Sequence, residues 1–153
     1  MAVKTYSLAK DGNKKLSEHF RVKEFACRDG SDIVLIDTKL IDILEKIRVY
    51  YGLPVKITSG YRTVSYNKSV GGASASYHIK GMAADIVVTG KTPRDMCLRG
   101  INLGIKGVGI YTWGIHVDTR TVPKLWYQVK SGASYIYVPM LANIPAGLFN
   151  NTL

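Results

Sequence analysis

The spacing of apolar residues divides the chain before any chemistry is considered. From Asp37 onward Leu40, Ile43, Leu44, Ile47, Tyr50 and Tyr51 recur at intervals of three and four, which predicts one helix with an apolar stripe. Asp37 reads as its N-cap, Gly52 as the residue that ends it, and Pro54 forbids continuation. The alternation then changes to period two. Val55 and Ile57 face one way and Lys56 and Thr58 the other, so VKITS reads as a strand ending at Gly60. A Ser- and Gly-rich stretch, TVSYNKSVGGASAS, reads as a short helix or turn plus loop, and AADIVV (83–88) as a second strand. Thr92-Pro93-Arg94-Asp95 is a helix start with a Thr cap, Pro at the first position and an acid at the third. The helix should run to Gly104, and GVGIY (107–111) and GIHVD (114–118) should then pair as a hairpin.

The flanks are less regular. Residues 1–15 are polar without a clear period and read as a loose arm. Phe20, Val22 and Phe25 pin the next segment to the body, and Asp29-Gly30-Ser31-Asp32 marks a turn. Beyond residue 126, LWYQV and SYIYVPM keep strand character before a Pro- and Asn-containing tail, so residues 127–153 read as an extension packed on or trailing the domain. The order of elements argues for an α+β domain with a small, mainly antiparallel sheet and helices packed on one side.

Length and composition narrow the picture further. A chain of 153 residues is most economically one domain with a real core. No run of about eighteen apolar residues occurs, so no membrane span is expected. The first fifteen residues lack the apolar region of a secretory signal, which would fit release at lysis, as for a phage lysin, or a trimmed chain. Cys27 and Cys97 form no CxxC and read as unpaired thiols. The formal net charge of +10 points to a polyanionic partner. Lys and Arg are scattered rather than clustered, however, so nucleic acid is not expected and an anionic cell wall fits better.

Three side chains carry the chemistry. SYHIKGMAAD (76–85) sets His78 seven residues before Asp85, and His116 lies on the second arm of the hairpin. Imidazole and carboxylate are the usual zinc ligands, and three of them leave a fourth position open in a catalytic site. His78, Asp85 and His116 therefore read as one zinc site. His19, the remaining histidine of three, reads as structural or exposed. With Ile115 and Val117 on one face of their strand, His116 and Asp118 share the other.

Ser76-x-His78-x-x-Gly81-x-Ala83-x-Asp85, the later His116, Ser59-Gly60-Tyr61-Arg62, LSEHFRVKEFAC and GIHVDTR together resemble the zinc D-alanyl-D-alanine carboxypeptidase family, in its short cell-wall branch. The similarity covers residues 16–126, the expected peptidase domain. It implies a Hedgehog/DD-peptidase-like fold and one Zn2+ held by His78, Asp85 and His116. It also implies Arg62 at the substrate carbonyl or carboxylate and at the oxyanion, with Ser76 and the adjacent Tyr61 contacting substrate. The implied activity is hydrolysis of a peptide bond next to a D-amino acid in peptidoglycan, as carboxypeptidase or endopeptidase. One departure stands out. Where many relatives carry an acid three before the last histidine, or a histidine two before it, this chain has Trp113 and Gly114. Asp118 is the nearest remaining acid, as a general base or as the carboxylate that orients an imidazole. The missing acid also admits a second reading, a zinc-stabilised, non-catalytic module that binds wall or belongs to a virion.

Overall fold

The computed structural model describes residues 2–131 and 134–140, with side chains described as far as Gln128. The first pairing lies where the loose arm was expected. β1 (Val3–Ser7) runs antiparallel to β2 (Ile33–Asp37), with Val3 opposite Asp37 and Ser7 opposite Ile33. The short α1 (Leu8–Asp11) follows, capped by Ser7. The arm is therefore a strand. Its polar sequence hides this because most of its side chains are exposed and the partner strand comes much later in the chain.

α2 (Thr38–Tyr51) follows β2 directly and buries Leu40, Ile43, Leu44 and Ile47 of the predicted stripe together with Ile41, while Tyr50 at its end is exposed and Tyr51 half-buried. Each such side chain taken fully out of water contributes about 1.5–3 kcal/mol. Asp37 caps its start through Lys39 N, and Gly52 ends it in the left-handed conformation at φ 62°. β3 (Val55–Ser59), α3 (Val64–Ser69), β4 (Ala83–Val88), α4 (Pro93–Asn102), β5 (Gly107–Ile110), β6 (Ile115–Asp118), β7 (Lys124–Ser131) and β8 (Ser134–Met140) complete the described chain. Short 3-10 turns at Val22–Phe25 and Tyr77–Lys80 join them.

Strands β3 to β8 form one six-stranded sheet in the order β3-β4-β6-β5-β7-β8. Every pairing is antiparallel except β5 with β7. The last two strands therefore continue the main sheet from residues set apart as an extension. The tail from 141 lies outside the described residues.

Alternation gives this sheet two chemically different faces. Ile57, Ile86, Val88, Val108, Ile110, Ile115 and Val117 join one core cluster with α2 and α4 residues such as Leu44, Met96 and Cys97. The opposite parity places Asp85, His116 and Asp118 on the other face, with Gly107 and Gly109 on the neighbouring strand. Cys27 and Cys97 are buried free thiols.

Candidate metal centre

Strand register assembles the centre. Asp85 on β4 lies directly opposite His116 on β6, and His116 lies opposite Gly109 on β5. One step along, Asp118 lies opposite Ala83 and Gly107. Small residues on both sides of Asp118 leave room for its carboxylate, and a Cβ added at Gly107 would collide with it. A Cβ at Gly109 would collide with the Trp126 ring, which tilts against His116 with centroids 5.2 Å apart.

His78 arrives from outside the sheet. It lies in the Tyr77–Lys80 turn, whose first backbone N–H groups are capped by Ser76 Oγ through His78 N at 3.2 Å. Gly81 closes that turn at φ 71°, with its α-carbon against the Leu35 backbone. Two further bonds clip the turn to the exit of β3: Arg62 N donates to His78 O at 3.1 Å, and His78 Nδ1 lies 2.7 Å from Gly60 O. A carbonyl only accepts, so Nδ1 carries the proton and Nε2 presents a lone pair.

That lone pair is the informative atom. His78 Nε2 is buried and makes no hydrogen bond, although Asp85 Oδ1 is only 3.3 Å away. The separation satisfies ion-pair distance but not hydrogen-bond geometry, and two lone-pair atoms facing each other need a cation between them. His116 is poised in the same way. Its Nε2 lies 2.8 Å from Asp118 Oδ2, leaving Nδ1 to face Asp85 Oδ1 at 3.2 Å. Donor atoms of His78, Asp85 and His116 all lie within 4.8 Å of one another, and all three residues are buried. Two imidazole nitrogens and a carboxylate oxygen converging in this way could hold a metal ion, and the donor set suits zinc.

The surrounding groups fix these side chains. Asp85 accepts from Tyr111 Oη at 3.2 Å and from Arg62 Nη2 at 3.1 Å. Arg62 Nε also donates to Ser59 Oγ and Nη1 to the buried Asn67 Oδ1. Asp118, fully buried, takes Arg120 Nε on Oδ1 at 2.7 Å and Arg120 Nη2 on Oδ2 at 2.6 Å. Burial alone would raise the Asp85 carboxyl, but the His116 and His78 rings set against it hold it well below the usual carboxylate range. Burial raises Asp118 too, and His116 and Arg120 outweigh it, keeping it ionised. For His78 burial dominates and lowers the pKa, which favours the neutral ring that a ligand must be. Burial would lower His116 as well, but Asp118 and Asp85 push it up to about 8.

The structure brings together His78, Asp85, His116, Asp118 and Arg62. Ser76 and Tyr61 stand apart from the open cleft beside Asp85: Ser76 caps the His78 turn, and the Tyr61 side chain packs on the core. His19 lies elsewhere, with Nδ1 2.8 Å from Glu45. Sequence reading missed Tyr111, Asn67, Arg120 and Trp126. Tyr111 was within reach, because Gly107, Gly109 and Tyr111 share parity with the site face. Arg120 likewise shares the parity of His116 and Asp118, whereas Asn67 gave no such signal.

An α+β fold that brings a buried His/Asp/His triad together against one face of its sheet defines a candidate metal centre. A family model for peptidase M15 matches residues 18–118, a span that holds all three triad residues, and the chain belongs to that family. The peptidoglycan L,D-endopeptidase MepK of Escherichia coli (strain K12) is 31% identical over 120 residues, covering 71% of this chain. Its counterpart in Shigella flexneri matches to the same extent. The matched stretch spans 66% of the length of these curated relatives.

Proposed function

We propose that this protein is a zinc-dependent peptidase that hydrolyses a peptide bond next to a D-amino acid in peptidoglycan stem peptides, acting at the bacterial cell wall. The observation that carries the reading is the unpartnered, buried His78 Nε2 aimed at Asp85 Oδ1 in a chain of the M15 family. One Zn2+ would be held by His78 Nε2, Asp85 and His116 Nδ1. When bound, such an ion supplies Lewis-acid polarisation of the scissile carbonyl and makes water a usable nucleophile near neutral pH.

The chain's own groups supply the rest. Arg62 is held by Ser59, Asn67 and Asp85. Its two terminal nitrogens each keep one further N–H for a developing oxyanion, a role that suits a fixed fork better than a mobile ammonium. Asp118 has both oxygens engaged, by His116 and by Arg120, so it fixes the His116 ring and its tautomer rather than taking a proton from water. Of the two roles open from sequence, geometry thus favours orientation, and Asp118 is a positioning residue. Ser76 acts on the site through the backbone of His78. The net charge of +10 favours encounter with a polyanionic wall.

The names of the relatives favour cleavage within the stem or cross-bridge over release of terminal D-alanine. Digestion of purified wall by the zinc-loaded protein, followed by mass spectrometry, should yield muropeptide fragments. Free alanine would indicate the carboxypeptidase, and no product at all would return the non-catalytic module, which family membership does not favour.

A further inference from the structure

Beside the triad lies an open cleft of about 250 Å³ lined by Arg28, Arg62, Tyr66, Val70, Asp85 and Trp113, among others. Its two guanidinium groups differ in what they have left to give. All three nitrogens of Arg62 donate within the protein, to Ser59, Asn67 and Asp85. Arg28 donates only through Nε, to Thr58 O at 2.8 Å. Its Nη1 and Nη2 have no partner among the described residues. The neighbouring acid does not claim them, since Asp29 accepts from Thr63 Oγ1 at 2.7 Å and from Ser31 N at 2.9 Å.

The Nε bond aims that free fork. Thr58 is a β3 residue whose own hydroxyl donates to the Asp85 carbonyl at 3.1 Å, so Arg28 is anchored one residue away from a ligand strand. Trp113 forms another wall. It is 47% exposed and stacks on Tyr111 with ring centroids 4.9 Å apart and planes 9° from parallel. The Tyr111 hydroxyl in turn reaches Asp85. The cleft therefore offers a flat aromatic surface and a planar cation whose two terminal nitrogens keep all four N–H groups, a combination suited to a bidentate carboxylate.

We propose that Arg28, and not Arg62, recognises a free carboxylate of the peptide substrate, making this cleft the specificity subsite of the enzyme; this rests on the peptidase reading above. Arg62 is left to serve the reacting carbonyl. The carboxylate could come from the peptide's C-terminus or from an acidic side chain beside the scissile bond.

The test compares wild type with Arg28→Gln and Arg28→Lys on three synthetic stem peptides. One has free carboxylates, one an amidated C-terminus and one an amidated side chain. Kd is read from tryptophan fluorescence, and KM and kcat from product release, after thermal melts have shown the variants folded. Arg28→Gln should raise Kd and KM for the free peptide about 10-fold or more with kcat unchanged, and Arg28→Lys should recover only part of this. The penalty should vanish on the peptide whose amidation removes the recognised carboxylate, which identifies its source. An equal penalty on all three peptides, or none on any, would overturn the proposal. Should wild type bind the peptides without cutting them, the peptidase reading fails while the Kd comparison still decides the role of Arg28. Should wild type bind none, the subsite is refuted.

Discussion

Asp118 illustrates how one carboxylate can be fixed in a role by its partners. Its oxygens receive an arginine fork and an imidazole in a fully buried place, so an added proton would break bonds with both. Asp118→Asn should keep the fold, since the amide is nearly isosteric, but weaken zinc binding about 10- to 100-fold, as loss of a carboxylate behind a metal-bound imidazole does. Competition with a chelator would measure this. A variant with unchanged zinc affinity and abolished turnover would instead make Asp118 the base. Arg62 shows the converse arrangement, because it holds the Asp85 carboxylate and still has N–H groups to offer.

Among the elements, the turn that carries His78 is the most demanding. It must leave β3, return to the sheet face and pass close to β2. Gly81 does this at φ 71° with Leu35 backbone where a Cβ would sit. Gly81→Ala should therefore cost about 1–3 kcal/mol in urea unfolding, from left-handed strain and a backbone collision that no rotamer relieves. Zinc affinity should fall with it. The two long helices, α2 and α4, by contrast, were legible from local rules, whereas α1 lay within the expected loose arm. Asp37, Thr92 and Gly52 cap where their residue types predict, because capping involves only neighbours in the chain. The β1–β2 pair was not legible, since nothing near residue 5 reports that residues 33–37 will be its partner.

At the scale of the molecule, the proposed zinc ion and pH should act on different parts. An ion that binds the folded triad and not the unfolded chain should raise the unfolding free energy by about 2.7 kcal/mol at a concentration 100 times Kd. Differential scanning calorimetry with and without zinc would show the rise in Tm, and His78→Ala should abolish it. Acid should act partly at Glu45, which fastens the segment around His19 to α2. Burial would raise its carboxyl, but Ser17 and His19 donate to it and hold its pKa below the usual value. A depressed folded pKa contributes stability that is fully present above the unfolded value, about 4.3, and is lost as pH falls through the folded one. Urea midpoints followed from pH 7 to pH 3 should therefore decline less steeply in Glu45→Gln than in wild type. No described helix is long and apolar enough to cross a membrane.

The residue pattern by itself determined the α2 stripe, the caps, the two faces of β6 and the placement of His116 with Asp118 on the polar one. These follow from periods of two and 3.6 that operate within a few residues. Tertiary structure alone decided which imidazole nitrogen faces inward, that Arg120 and His116 share Asp118, and that Tyr111 and Asn67 support Asp85 and Arg62. It also decided that Arg28 reaches the same cleft as Arg62. Each of these depends on register between strands, or on loops that meet only after the sheet has formed, and a hydrogen bond is settled by distances of tenths of an ångström that no linear spacing encodes.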